Sequence, residues 1–231
     1  MRFPPPLLLA ALLTLTAGGL AAQPAPNQLF SAAAHASLTL AQIDGDYYFG
    51  YNRPGLRAGV EAQLLWRPKT YFTLGFTYVQ QGSQASQKEF SQNSNTGLRL
   101  RLNTVEVPLL LNYRLGKRTD TGRRENYRLY RSSVLSAGLA YGRLVSYRGE
   151  RTGSLSNLAR RENWLAVEEE FRTSDLYFLV GYEIKLGLRA SVWLQHGRSL
   201  LGLYRPAVFD KEGVISLFPY YLSLGAKYNV N

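Results

Sequence analysis

Residues 55–81 read GLRAGVEAQLLWRPKTYFTLGFTYVQQ, and this stretch decides the fold. Across residues 56–66 every second side chain is apolar, while the positions between them include Arg57 and Glu61. A period of two is typical of a β-strand whose faces meet different surroundings, and it cannot form one side of a helix. The alternation resumes after the turn, in residues 71–78. The stretch therefore predicts two strands joined by a tight turn.

Residues 1–22 predict a secretory signal peptide. A basic start precedes an uncharged apolar run over residues 7–20, and Ala21 and Ala22 offer a small-residue cleavage site. An uncleaved anchor helix fits less well because the run is short and is interrupted by threonine and glycine. We expect cleavage after one of these alanines, which leaves residues 23–231 as one barrel domain.

The chain is basic and contains no cysteine. It has 27 Lys and Arg against 16 Asp and Glu, a formal net charge of +11. Because the signal peptide predicts export and the basic residues are spread over strands and loops, no nucleic-acid partner is predicted. Anionic lipid head groups or lipopolysaccharide are the expected counter-charge. Neither a disulfide framework, a metal-ligand spacing nor a phosphate-binding glycine loop is visible, so no metal and no cofactor is predicted.

The alternation of apolar and polar residues recurs along the chain and predicts eight strands. They cover residues 30–42, 56–66, 71–78, 98–115, 131–146, 175–185, 188–195 and 218–230. About eleven residues tilted by ~45° span ~25 Å, the apolar height of an outer-membrane barrel. Long connections follow the odd-numbered strands and mostly short ones follow the even-numbered strands, which places both termini in the periplasm. The predicted fold is an all-β, eight-stranded antiparallel up-and-down transmembrane β-barrel.

Three local features interrupt this pattern. In the fourth strand the apolar positions shift by one residue, which predicts a β-bulge near Asn103 or Thr104. Residues 82–97 are polar without periodicity and predict a loop. Residues 148–172 form the longest connection, and their apolar positions predict a helical turn or two.

Aromatic residues indicate that the apolar face points outward to lipid. Eight of them fall at the strand ends and bracket a band of Leu, Val and Ala, like the interfacial girdles of membrane barrels. The predicted girdles are Trp66, Phe72, Tyr113 and Tyr228 at the periplasmic end and Tyr78, Tyr141, Phe178 and Tyr220 at the outer end. The polar face carries both signs of charge, which a narrow lumen would pair. The predicted lumen network is Arg57, Glu61, Glu106, Glu183, Arg189 and Lys227.

Three segments resemble the PorT-like outer-membrane β-barrel family. They are residues 104–111 (TVEVPLLL), residues 78–82 (YVQQG) and residues 38–45, and the match in order covers residues 30–230. The resemblance implies an eight-stranded barrel in the outer membrane of a Gram-negative bacterium, inserted by the outer-membrane assembly machinery. Some members of the family are linked to protein secretion, a role that short motifs do not transfer. Asn231 departs from the terminal aromatic residue common in such barrels.

Two other classes of function fit parts of the sequence. Some eight-stranded barrels are lipid A-modifying hydrolases that use a Ser and a His, and His196 lies three residues before Ser199. That spacing supplies no orienting acid, and His35 is the only other histidine, so no catalytic residue is predicted. The second alternative is a soluble exported lipocalin-like barrel that binds an apolar ligand.

The preferred prediction is a non-enzymatic outer-membrane barrel with a lumen filled by side chains. Eight strands leave no room for a wide aqueous pore. Its role is then structural or interactive at the cell surface, with lipopolysaccharide or an unidentified protein as the partner.

Overall fold

Eight antiparallel strands hydrogen-bond in chain order and close into a barrel, with the last strand pairing with the first. The strands are β1 Phe30–Asp44, β2 Arg53–Arg67, β3 Thr70–Gln84, β4 Gly97–Leu115, β5 Ser133–Thr152, β6 Ser174–Lys185, β7 Ala190–Ser199 and β8 Phe218–Asn229. Closure gives each of the eight described strands a hydrogen-bonded neighbour on both sides. The predicted fold class, a closed all-antiparallel eight-stranded barrel, is confirmed.

The computed structural model describes residues 29–46, 48–67, 69–92, 97–115, 133–152, 171–186, 189–203 and 217–230. The predicted signal peptide lies outside these ranges, as do residues 153–170 of the connection in which a helical turn is expected. Residues 148–152 of that predicted connection belong instead to β5. Within the described ranges, no helix has the length and apolar character needed to cross a membrane.

Side-chain exposure alternates along the strands in step with the sequence pattern. In β2, Arg57 and Glu61 are buried while Leu56 and Val60 are exposed. The same arrangement recurs around the barrel, where exposed apolar residues include Leu38, Leu74, Leu109, Leu139, Val180, Leu194 and Leu224. The wall is therefore apolar outside and polar inside, the reverse of a water-soluble barrel.

The predicted bulge position is where the β4–β5 register shifts, but the extra residue lies on β5. Asn103 pairs with Ser146 and Thr104 with Leu144, so Val145 has no partner on β4. Burial in β4 continues to alternate without interruption across this step. The bulge therefore does not explain why the apolar residues of β4 change position in the sequence.

The apolar residues of β4 change position for a different reason: the interior of the barrel changes from polar to apolar toward its outer end. The inward residues Thr104 and Glu106 are polar, whereas the inward residues Leu100 and Leu102 are apolar and completely buried. They belong to an apolar cap that fills the outer end of the barrel. The buried members of the cap are Ile43, Tyr48, Ala85, Leu100, Leu102, Phe171, Leu203 and Leu217.

The segment predicted as an unstructured loop is partly ordered, which corrects that expectation. Strand β3 continues to Gln84, and helix α1 follows at Gln87–Gln92. Glu89 N donates to Ser86 Oγ at 3.2 Å, and Ser86 N donates to Glu89 Oε2 at 2.7 Å. This reciprocal pair is a capping box, which satisfies backbone donors at the start of a helix. Glu89 Oε1 also accepts from Phe49 N at 3.0 Å and so links α1 to the first outer connection, which joins β1 to β2.

Two tyrosine rings fill the middle of the lumen where two glycines leave space. Tyr177 and Tyr221 are almost completely buried, with ring centroids 6.2 Å apart. A Cβ at Gly142 would lie 2.7 Å from Tyr177 Cε2, and one at Gly197 would lie 2.4 Å from Tyr221 Cζ. Both distances are shorter than van der Waals contact, so a larger residue would displace the rings.

Candidate functional site

The lower lumen is the half nearer the periplasmic end, and in it one lysine lies between two glutamates from other strands. Lys227 Nζ in β8 lies 2.8 Å from Glu61 Oε1 in β2 and 2.9 Å from Glu183 Oε2 in β6. Their side chains are 11%, 6% and 8% exposed. Gln63 Nε2 donates to Glu61 Oε1 at 2.8 Å. Buried charges need such partners because the protein interior solvates them far less well than bulk water does.

A second cluster surrounds Arg57 above this lysine. The guanidinium donates through Nη1 to Gln195 Oε1, and its Nη2 lies 3.7 Å from Glu106 Oε2. Its carbon Cζ lies 5.1 Å from the centroid of Trp193 and 5.5 Å from that of Tyr221. The Tyr221 hydroxyl donates to Glu106 Oε2 at 2.7 Å. Arginine therefore pairs with a carboxylate and lies against aromatic faces at once, which suits a planar cation.

His35 lies beside both clusters. Its Nε2 is 3.3 Å from Thr77 Oγ1, its Nδ1 is 3.9 Å from Glu61 Oε2, and its ring centroid is 5.4 Å from that of Trp193. A cavity of about 30 Å³ borders these residues. His35 Nδ1 and Trp193 Nε1 have no hydrogen-bond partner among the described residues. The cavity has room for a water molecule or two, which would satisfy these atoms, but not for an organic substrate.

The structure brings five of the six predicted lumen residues inside the barrel and leaves one outside. Arg57, Glu61, Glu106, Glu183 and Lys227 are enclosed. Arg189 instead is exposed just before β7, and its Nη1 donates to the Tyr228 hydroxyl at 3.2 Å. This corrects the prediction for Arg189, because at the end of the barrel a long side chain can turn toward the rim.

Sequence reasoning missed several partners of these charges. Trp193, Gln195, Tyr221 and His35 all have inward side chains that contact the charged clusters. Their positions on the polar parity of each strand were a usable signal. Their partners across the lumen could not be predicted from the sequence, because those contacts depend on closure of the barrel.

The predicted girdle residues all lie on the outer wall. Trp66, Tyr78, Tyr113, Tyr141, Phe178 and Tyr228 are exposed, and Phe72 and Tyr220 are half-buried. At the outer end, hydrogen bonds link neighbouring strands in a row that we call the interfacial line. Gln80 Nε2 donates to the Tyr78 hydroxyl at 3.1 Å, that hydroxyl donates to Asn103 Oδ1 at 3.0 Å, and Asn103 Nδ2 donates to Ser146 Oγ at 2.8 Å.

His196 and Ser199 do not form a catalytic pair. His196 faces outward, where its ring centroid lies 6.2 Å from that of Tyr220. Ser199 is buried, and its Oγ accepts from Gly202 N at 3.0 Å. Within the described residues no group of three or more His, Asp or Glu side chains is placed to hold a metal ion.

These features define the class of protein: an eight-stranded β-barrel with an apolar outer wall and a charge-filled lumen, the architecture of outer-membrane barrels. No family model and no curated protein matches the sequence. The resemblance to the PorT-like family therefore stays a prediction from the motifs quoted above.

Solved structures show a distant likeness. Neisserial surface protein A is 12% identical, with 87% of this chain and 97% of that chain covered at a TM-score of 0.43. The outer membrane enzyme PagL is 13% identical, with 86% and 97% covered and a TM-score of 0.41. Ail, the attachment invasion locus protein of Yersinia pestis, is 11% identical, with 87% and 97% covered and a TM-score of 0.39. Likenesses at this level carry no argument for function.

Proposed function

We propose that this chain is a non-enzymatic outer-membrane β-barrel protein of a Gram-negative bacterium, with a structural or interaction role at the cell surface. The observation that carries the proposal is the direction of the two faces. Leu109 and Leu224 are exposed on the outer wall, while Glu61, Glu183 and Lys227 are enclosed. A hydrocarbon surrounding stabilises such a wall, whereas water does not.

The extent of the apolar wall argues against a soluble carrier. Exposed Leu, Val, Phe and Trp side chains encircle the barrel on β1 to β8, far beyond the few hundred Å² of apolar patch that a soluble monomer carries. A lipocalin-like protein also needs an apolar cavity for its ligand. Here the lumen at the same height holds charged pairs and a cavity of about 30 Å³.

The filled lumen also argues against a pore and against an internal active site. Arg57, Tyr177 and Tyr221 block the middle of the barrel, and the apolar cap closes its outer end. The Ser and His that the lipid A-modifying alternative would use lie on opposite faces of β7. The functional surfaces are therefore the outer wall and the outer connections, which suits a role in contact with lipopolysaccharide or a protein partner. A secretion-associated role stays a prediction of the family resemblance.

The proposal is tested by fractionation of cells that express the full chain. We expect the protein in the outer-membrane fraction, with its signal peptide removed after Ala21 or Ala22, and with a shift in gel mobility between unheated and boiled samples. Mass spectrometry of the mature N-terminus reports the cleavage site. Recovery as a soluble periplasmic protein without a heat-dependent shift would contradict the membrane assignment.

The non-enzymatic part is tested separately by mass analysis of lipid A. We expect identical lipid A from cells that express the wild type, the His196→Ala variant or no protein. A change in acylation that depends on His196 would establish the enzyme alternative.

A further inference from the structure

Four exposed arginines share the outward side of β4 and β5 beyond the interfacial line or beside it. They are Arg99, Arg101, Arg143 and Arg148, and we call them the arginine face. The side chain of Arg148 is 76% exposed and that of Arg99 is 49% exposed. The longest strands of the barrel thus carry a cationic surface at their outer ends.

The strand register concentrates these charges. Arg101 lies directly opposite Arg148, and Arg99 lies opposite Glu150. Like charges directly opposite each other on one face destabilise a strand pair. Glu150 is the only outward-facing acid in the described residues of β4 and β5, and it pairs with Arg148 Nε at 2.9 Å and with Arg99 Nη1 at 3.9 Å. One carboxylate therefore balances part of the charge, and Arg101 has no ion-pair partner among the described residues.

The pKa of a neighbouring buried arginine, Arg53, reflects the same positive potential. Arg53 begins β2, four residues nearer the outer end than Arg57, and thus lies beyond the interfacial line. Burial, followed by the positive charges of Arg99 and Arg101, lowers the pKa of Arg53 to about 10, and Glu150 opposes that change. Arg53 remains a cation at neutral pH, so it adds to the field. A bound anion would relieve this repulsion.

The height of the arginine face determines what kind of anion meets it. Val107, Leu109 and Leu139 form the apolar wall directly below the interfacial line. Arg143, beside that line, donates through Nη1 to Ser174 Oγ at 3.1 Å, and the hydroxyls of Ser174 and Tyr141 lie 2.8 Å apart. A lipid whose acyl chains lie against this wall has its phosphate groups at the level of the guanidinium groups.

We propose that the arginine face binds the phosphate groups of the anionic glycolipid in the outer leaflet, the lipid A part of lipopolysaccharide. Arg101 and Arg148 are the central contacts, because guanidinium groups form paired charge-assisted hydrogen bonds with phosphate oxygens. The site deepens the proposed function and rests on it, since only a membrane-inserted barrel presents this face to lipid.

The experiment measures binding of lipid A to full-length protein folded in uncharged maltoside micelles. The probes are lipid A with both phosphates and the same lipid after enzymatic removal of phosphate. We expect the double variant Arg101→Ala/Arg148→Ala to bind the phosphorylated probe about tenfold more weakly than the wild type. Binding of the phosphate-free probe should be weak and unchanged.

Three further variants sharpen the test. Arg67→Ala/Arg189→Ala removes two exposed arginines from the periplasmic end and should leave lipid A binding unchanged. Glu150→Gln removes the competing carboxylate and should strengthen binding of the phosphorylated probe by a few fold. Arg101→Lys/Arg148→Lys keeps the charge but not the fork geometry, and its affinity should fall between those of the wild type and the alanine variant.

The outcomes separate the lipid site from the membrane assignment. Heat-dependent gel mobility and insertion into vesicles are recorded for each variant. A wild type that does not insert overturns both proposals. A wild type that inserts, but whose double alanine variant binds phosphorylated lipid A equally well, overturns the lipid site alone. Loss of binding in the periplasmic variant would also overturn it.

Discussion

At the scale of single residues, Lys227 is the charge on which the lower lumen depends. Its Nζ lies within 2.9 Å of a carboxylate oxygen of both Glu61 and Glu183, and none of the three side chains is more than 11% exposed. Such ionic groups add little net stability compared with apolar residues, since desolvation offsets their attraction. Removal of one partner is costly, however, because the remaining charges stay buried without compensation.

We expect Lys227→Met to lower the free energy of unfolding by ~3–5 kcal/mol, because two carboxylates then face each other without a cation. The measurement is guanidinium unfolding of protein inserted in phospholipid vesicles. Arg189→Met is the control, since that arginine is exposed and its loss should cost less than ~1 kcal/mol. Equal losses in the two variants would show that the buried ion pairs do not stabilise the barrel.

At the scale of elements, Asp46 connects the first outer connection to β1 and β3. Its Oδ1 accepts from Tyr48 N and from Gln42 Nε2, both at 3.0 Å, and its Oδ2 accepts from Ser83 Oγ. The side chain is buried outside the membrane-spanning part of the strands. Burial raises the pKa of Asp46 to about 7, against the opposing effect of the hydrogen bonds from Ser83 and Tyr48.

This raised pKa predicts that the connection after β1 opens more readily at higher pH. The folded state holds the proton more tightly than the unfolded state, so the stabilisation is complete below about pH 4 and is lost as the pH rises through about 7. Hydrogen exchange of residues 44–52, corrected for the intrinsic effect of pH, should show less protection at pH 8 than at pH 5. Asp46→Asn, which cannot ionise, should abolish the difference. A pH dependence that persists in this variant would assign it to another group.

At the scale of the whole molecule, the barrel has two kinds of surface that meet at the interfacial line. Below the line the outer wall is apolar and the lumen is polar, and beyond it the outer wall of β4 and β5 is basic and the interior contains the apolar cap. A protein reverses its faces in this way where its surroundings change from hydrocarbon to water.

The same substitution should therefore cost more below the interfacial line than at it, where Val145 directly precedes Ser146. Leu109 and Val145 both point outward, with 56% and 63% of their surface exposed. We expect Leu109→Arg to lower the free energy of unfolding in vesicles by ~2–4 kcal/mol if it lies near the bilayer midplane, and Val145→Arg to lower it by less than ~1 kcal/mol. A neutral Leu109→Arg would place that residue outside hydrocarbon and reject the proposed face.

A barrel closed in this way should not conduct ions. We expect no steady single-channel conductance when the purified protein is inserted in planar bilayers, because packed side chains fill the lumen and the apolar cap covers it. Insertion is verified independently by heat-dependent gel mobility of protein recovered from the bilayer lipid. Reproducible conductance steps would show that the cap or the lumen opens.

The sequence by itself determined the number of strands and, except at the outer end of β4, the two faces of each strand. Alternation is a local property of an extended backbone, so the opposite directions of Leu56 and Arg57 follow from their adjacency. The outward position of the aromatic residues at the strand ends could be predicted equally well, because their placement follows the length of each strand.

Only the tertiary structure decided which charges meet and where the interior changes character. Lys227, Glu61 and Glu183 come from β8, β2 and β6, and their contact depends on closure and register of the whole barrel. The leucines at positions 100 and 102 looked like a register shift in the sequence, yet they face inward because the interior is apolar at that height. Such contacts join residues far apart in the chain, and a local pattern of alternation does not show which distant residues will meet.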